Sequence, residues 1–287
     1  MTRIAYVNGR YLPHRRAAVH VEDRGYQFAD GVYEVIAVDH GRLVDAGPHL
    51  ERLARSLNEL SIARPMTDAA LRHVLGEVVR RNRVRRGILY LQITRGVAPR
   101  SHAFPDGAKP ALVVTARSLP PADPAAAEKG CAVITVPDIR WKRCDIKTVS
   151  LLPNVLAKQQ AKDAGAFEAL QVDADGFVTE GSAANAWIIT EAGVLVTRPA
   201  DHAILDGVTR RSVMALAARA GIAVEERPFT VVEAKGASEA FLTGTTAMVM
   251  PVVRIDGTPV GGGKPGPFSL RLLADYTEWA AGGAGTP

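Results

Sequence analysis

Cysteine is almost missing from this chain: two residues, Cys131 and Cys144, in a length of 287. They are too few and too isolated for a disulfide framework or a thiolate zinc site, so inert thiols of a reducing compartment are expected. Long apolar runs are missing too. No window approaches the length of a membrane span, and the opening MTRIAYVNGRYLPHRR has no apolar core of signal-peptide length, so a soluble, cytoplasmic protein without membrane partners is expected. Charge of one sign is scarce: 35 Lys and Arg face 30 Asp and Glu, a net charge of +5. That excess is too mild to call for nucleic acid. The histidines are scattered and form no H-E-x-x-H or carboxylate cluster, so no metal is expected. There is no internal repeat and no low-complexity tract.

What is present is ordinary for a globular protein. Apolar residues make up 47% and charged residues 23%, at a length that suits two domains with sizeable cores. IAYVNGRYL alternates about the turn dipeptide Asn8-Gly9, and VYEVIAVDHGRLV does so about Asp39-His40-Gly41; both read as hairpins. From His49 to Ile62, the residues Leu50, Leu53, Ala54, Leu57 and Leu60 recur at helical spacing. Thr67 reads as the N-cap of a second helix, with Leu71, Val74, Leu75, Val78 and Val79 as its apolar stripe. ILYLQITRG and ALVVTARS read as strands.

SLPPADPAAAEKG (118–130) breaks the pattern, because prolines among alanines and acids suit a linker. An α+β chain is therefore expected to divide into a small N-terminal domain (1–117), a linker (118–128) and a larger C-terminal domain (129–287). The latter reads as strand CAVITV, a helix from about 154 to 164, strands ALQVD and AWIIT flanking a loop ADGFVTEGSAAN, a helix from about 209 to 220, strands AFLTG and VMPVVRID turning at Asp256-Gly257, and a tail with a short helix and a frayed end.

The candidate sites are individually weak. RRNRVRR (80–86) falls at a helix C-terminus, where cations favour the helix dipole, and lacks interleaved aromatics. GGGKPG (261–266) lacks P-loop spacing. TEGSAAN puts Glu180 in a turn, which alone is a surface carboxylate. LTGTTAMV (242–249) offers hydroxyls and backbone amides to an anion. TRGVAPRSHAFP (94–105) gathers Arg95, Arg100 and His102 in one loop, a candidate trap for a carboxylate, since guanidinium binds that group bidentately. In RWKRCDIKTVSLLPN (140–154), Lys147 follows a strand-like run beside apolar residues, so it either snorkels to water or has a chemical task such as a Schiff base.

Taken in order, EDRGYQFADGVYEV (22–35), HLERL (49–53), TRGVAPRSH (94–102), RCDIKTVSLLPN (143–154), TEGSAAN (179–185), ILDGVTR (204–210) and LTGTT (242–246) resemble the pyridoxal-phosphate aminotransferases of the branched-chain and D-amino-acid class. The resemblance runs from residue 22 to about 250 and implies that class's two-domain fold. It puts Lys147 in the Schiff base to pyridoxal 5′-phosphate and as the catalytic base. It also implies Glu180 on the pyridine nitrogen, Arg52 on the phosphate with Val208, Thr209, Gly244 and Thr245, and Leu205 against the ring. Tyr33, Arg100, His102 and Thr246 fall to the substrate. The RGxxxRxH pattern of Arg95 to His102 points to the D-amino-acid branch, and so to D-alanine plus 2-oxoglutarate giving pyruvate plus D-glutamate. A branched-chain L-aminotransferase, an (R)-amine transaminase and aminodeoxychorismate lyase are the alternatives, and a homodimer is implied. Ala183, Ala184 and Gly244 depart from the serines of close relatives.

Overall fold

The structure, a computed structural model, describes residues 3–120 and 128–282. Most of the expected linker and the expected frayed end lie outside the described residues. The described residues form two compact units: one holds 3–120 together with Ile146–Ser150, the other holds 128–145 and 151–282.

The first unit is built on six antiparallel strands. β1 (Ile4–Val7) and β2 (Arg10–Pro13) form the hairpin expected at Asn8-Gly9, with φ of 45° and 92° at the two turn residues. Positive φ at both positions is the twist that joins neighbouring strands in two residues. β3 (Gly31–Asp39) and β4 (Arg42–Leu43) do the same about His40-Gly41. β5 (Gly87–Thr94) and β6 (Ala111–Ser118) complete the order β2-β1-β6-β5-β3-β4. The helix Ala46–Glu59 packs on β3, and the helix Asp68–Arg81 packs on β1 and β6. Thr67 caps the second of these, accepting from the Ala70 amide at 3.3 Å, and all five residues of its expected stripe are buried. RRNRVRR closes that helix, with Arg80 and Arg81 both paired to Glu77.

Lys147, expected in the C-terminal domain, groups with this first unit instead. The reason is local. Ile146 is buried in the core beneath the sheet, Thr148 makes an isolated antiparallel bridge to Val32, and the Tyr33 amide donates to the Lys147 carbonyl at 3.0 Å. Five residues thus run along the edge of β3 and leave again.

The second unit carries a mixed sheet. Its strands are β7 (Cys131–Pro137), β8 (Glu168–Val172), β9 (Val178–Gly181), β10 (Asn185–Ile189), β11 (Leu195–Thr197), β12 (Val224–Glu226), β13 (Glu239–Gly244), β14 (Met248–Ile255) and β15 (Thr258–Pro259). The order is β12-β11-β10-β13-β14-β7-β8-β9, with β15 on β14. The pairs β14–β7, β7–β8 and β11–β12 are parallel. Every residue of β9 and β10 is buried, as strands covered on both faces are. The helix Leu152–Asp163 covers β7 and β8, while Val208–Arg219 and Pro267–Ala280 pack together on the other strands.

Two expectations change here. The stretch read as one loop, ADGFVTEGSAAN, contains β9, so Glu180 stands in a buried strand rather than a surface turn. The tail helix is fourteen residues long rather than short. Glu239 caps it, accepting from the amides of Phe268 and Ser269 at 2.9 and 2.8 Å.

Candidate active site

The first unit gathers its candidates along β3. The Lys147 backbone amide donates to Ser56 Oγ at 3.3 Å, and its half-buried Nζ donates to Tyr33 Oη at 3.3 Å. The Tyr33 ring leans on Tyr90 at 5.7 Å between centroids. Tyr90 Oη in turn donates to Gln92 at 2.7 Å, and burial pushes its pKa up to about 12. The amine therefore faces a phenol held by a neutral ring and an amide rather than by a mobile charge.

One position along from Tyr33, on the other face of the strand, Glu34 is 0% exposed. Arg52 Nε and Nη2 grip its two oxygens at 2.8 Å each, and His49 Nδ1 lies 2.7 Å from Oε2. Burial alone would raise this carboxyl's pKa, but the Arg52 charge and the donated hydrogen bonds hold it down at about 2. Burial depresses the pKa of His49, so its ring is neutral near pH 7. A carboxylate only accepts, so Nδ1 carries the hydrogen. Arg52, expected on the phosphate, is thus fixed along one edge by a carboxylate that sequence reasoning passed over.

The loop between β5 and β6 divides the residues grouped there. Arg95 is buried, bound to Asp30 at 2.8 and 3.0 Å, donates to the carbonyls of Leu60 and Ser61, and stacks 3.6 Å above the Phe104 ring. It is a brace and leaves the proposed carboxylate trap. Arg100 and His102 are exposed and meet at Phe28, the guanidinium 4.6 Å from the ring centroid and the imidazole edge-on at 5.5 Å.

The second unit builds a separate set around Glu180, which is only 6% exposed. Arg140 Nη1 donates to Oε1, while Asn185 Nδ2 and the Leu205 backbone amide each donate to Oε2 at 3.1 Å. Asn185 also ties the Leu205 carbonyl at 2.8 Å. Arg140 is shared with Asp138, the Thr179 hydroxyl and the Ala203 carbonyl. Desolvation works against this guanidinium, but Asp138 and Glu180 raise its pKa and keep it a cation. Leu205, expected against the ring, also contributes its amide to Glu180.

The helix Val208–Arg219 starts at Gly207 with no side-chain cap, leaving the amides of Val208 and Thr209 among its unpaired first-turn donors. A Cβ at Gly207 would collide with Asn185 Oδ1, so glycine lets the helix begin against the Glu180 network. The turn from β13 to β14 presents Gly244, half-buried Thr245 and exposed Thr246. A Cβ at Gly244 would lie 3.3 Å from the Ala183 carbonyl and 3.8 Å from the Ala184 Cβ, so the three departures sit side by side.

These donors fit pyridoxal phosphate in kind. A primary amine faces a phenol, a buried carboxylate accepts from Arg140, Asn185 and the Leu205 amide, and an uncapped helix start with threonine hydroxyls suits a phosphate. Arg140, Asn185 and Glu34 were missed: Arg140 lies 40 residues from Glu180 and Arg52 lies 18 from Glu34, while Asn185, only five from Glu180, stood unremarked in TEGSAAN.

Comparison with known proteins agrees. The amino-transferase class IV family matches residues 31–255. A D-alanine aminotransferase of Bacillus licheniformis is 44% identical over 266 residues, 92% of this chain and 93% of that one. A D-alanine aminotransferase of Staphylococcus haemolyticus is 40% identical over 281 residues, covering 97% and 98%. Among solved structures, a T.th. branched-chain amino acid aminotransferase with pyridoxamine 5′-phosphate superposes with a TM-score of 0.91 at 28% identity, over 98% of this chain and 95% of that one.

Proposed function

The chain belongs to the class IV aminotransferases, and from that premise we propose that it moves the amino group of a D-amino acid, D-alanine first, onto a 2-oxo acid such as 2-oxoglutarate, giving pyruvate and D-glutamate. Pyridoxal phosphate is the cofactor, as in the related structures. When bound, it supplies an aldehyde for amines and a ring that accepts the electrons of a deprotonated carbon.

The roles fall to named atoms. Lys147 Nζ would hold the cofactor's aldehyde, and the same amine is the base placed to take a substrate's α-hydrogen. Tyr33 Oη, 3.3 Å from Nζ, orients that amine. Glu180 keeps a proton on the ring nitrogen, and Asn185, the Leu205 amide and Arg140 hold the carboxylate to that task. Arg52, the amides of Val208 and Thr209, Gly244 and Thr245 receive the phosphate. Arg100 and His102, with Tyr33 and Thr246, receive the substrate carboxylate. The exposure of Arg100 and His102 favours a homodimer in which this loop serves a second copy. Two free cysteines favour the cytoplasm, and no helix among the described residues is long and apolar enough to cross a membrane.

The observation that carries the reading is the pairing of Lys147 Nζ with the Tyr33 hydroxyl in a chain 44% identical to a D-alanine aminotransferase. The test is an absorbance spectrum of the purified protein with pyridoxal phosphate, before and after D-alanine and, separately, L-alanine and L-leucine. Conversion of the yellow form by D-alanine alone is expected. Conversion by L-leucine alone would make it a branched-chain enzyme.

A further inference from the structure

The loop from Arg95 to Pro110 spans sixteen residues between β5 and β6, far longer than a hairpin needs. It carries Arg100 and His102, both solvated, and such side chains hold one direction only if something beneath them does. The five-residue helix Arg24–Phe28 lies there. Asp23 caps it, accepting from the Gly25 amide at 2.8 Å, and places Arg24 and Phe28 four residues apart on one face.

Arg24 is 3% exposed, and every edge of its guanidinium is used. Nε donates to Asp30 at 2.8 Å, Nη1 to the Ser101 carbonyl at 2.5 Å and Nη2 to the His102 carbonyl at 3.3 Å. Its own amide donates to the Gly96 carbonyl at 2.9 Å. The same cation lies 4.9 Å from the Phe28 centroid, the ring that Arg100 and His102 share. Asp30 is gripped a second time by Arg95, so two buried guanidinium groups meet one carboxylate, while the buried carboxylate of Asp23 stands beside Arg24 at the helix cap. The fork of Arg24 therefore reaches the two backbone carbonyls that immediately follow Arg100, and Phe28 supplies the surface on which Arg100 and His102 rest.

We infer that Arg24 is a positioning residue that sets substrate-carboxylate recognition: with Phe28 it fixes where Arg100 and His102 point. The inference rests on the reading of Arg100 and His102 as the carboxylate site. An acid of small size is the ligand class, because one fixed guanidinium and one imidazole match one carboxylate.

The test is steady-state transamination by the holoenzyme with D-alanine and 2-oxoglutarate, using Arg24→Met, Arg24→Lys, Phe28→Leu, Arg100→Ala and the double variant Arg24→Met/Arg100→Ala. Arg24→Met is expected to raise the KM for D-alanine about tenfold, the scale of one lost charge-assisted contact, with kcat and the bound-cofactor spectrum within about twofold. Arg24→Lys keeps the charge without the fork and falls between. Phe28→Leu raises KM about threefold, as loss of cation–π contacts allows, and leaves every hydrogen bond of Arg24 in place, so it decides the matter if Arg24→Met does not fold. In the Arg100→Ala background, Arg24→Met adds nothing if it acts through Arg100. A full additional increase there means general loosening and overturns the inference. If Arg100→Ala raises KM while Arg24→Met and Phe28→Leu leave it unchanged, the inference falls and the carboxylate site stands. If Arg100→Ala itself leaves KM unchanged, the carboxylate reading falls, and this inference falls with it.

Discussion

Each unit buries one glutamate against one arginine, and the two glutamates do different work. Glu34 in the first unit is gripped by one guanidinium through both oxygens, with a neutral imidazole on Oε2. Its charge is satisfied inside a closed triad, as in a structural ion pair whose loss leaves an uncompensated cation. Glu180 in the second unit shares its arginine with Asp138 and takes its other donors from an amide side chain and a backbone N–H. A carboxylate that takes neutral donors beside its arginine keeps part of its charge available to a cationic partner. Closure distinguishes a brace from a reagent here, whereas burial does not, since both side chains are almost inaccessible.

That comparison breaks most readily at Glu180. Glu180→Gln keeps the shape and removes the charge, and turnover with D-alanine is expected to fall about a thousandfold, or about 4 kcal/mol of lost transition-state stabilisation. The melting temperature should move by only a few degrees, because Asp138 still pairs Arg140. A variant with parental turnover and a collapsed melting temperature would make Glu180 a second brace. Glu34→Gln is expected to invert the pattern. It strands Arg52 in a buried site and should lower the unfolding free energy by about 3 kcal/mol in a urea titration, with the loss at saturating cofactor under about tenfold in kcat. Equal losses of turnover in both variants would erase the distinction.

The two glutamates also show what the amino-acid order reveals. Hairpins were legible at Asn8-Gly9 and Asp39-His40-Gly41 because positive φ selects those residues, and the stripe from Leu71 to Val79 was legible because its period is helical. β9 was not. Val178–Gly181 is four residues long and buried on both faces, so a buried threonine and glutamate replace the apolar alternation that marks a strand. The seven stretches that carry the family resemblance marked Lys147, Glu180 and Arg100. They could not mark what holds them, because Arg140 lies 40 residues from Glu180 and Asp30 lies 65 from Arg95. A loop arginine bound to a distant aspartate looks, in one dimension, the same as one waiting for a substrate. Arg95 was misread for that reason.

Acid separates the two sites more finely. Glu34 titrates near 2 in the folded chain against an ordinary value near 4.5. A depressed carboxyl contributes stability above its unfolded pKa and loses it as pH falls toward the folded one. The contribution should therefore fade between about pH 4.5 and 2, by up to about 3 kcal/mol. His49, held neutral by burial, acts in the same direction from about pH 6.5 downward, because unfolding lets it take a proton. Urea midpoints measured from pH 7 to 3 should fall steeply in the parent and less steeply in Glu34→Gln. Parallel curves would mean that the triad does not supply the acid sensitivity.

The smallest effect tests the neutral donors themselves. Asn185→Ala removes the amide that joins Glu180 Oε2 to the Leu205 carbonyl and leaves Arg140 and the Leu205 N–H in place. Two neutral-to-polar contacts of this kind are together worth about 1 to 2 kcal/mol, so cofactor affinity should weaken about tenfold in an absorbance titration. The cavity also frees Gly207 from its steric neighbour, so Asn185→Ala combined with Gly207→Ala should fold where Gly207→Ala alone is destabilised. An Asn185→Ala protein that binds pyridoxal phosphate as tightly as the parent would assign the orientation of Glu180 to Arg140 alone. The shared arginine would then be the holder, and the contrast between a closed triad and an open carboxylate would lose its physical basis.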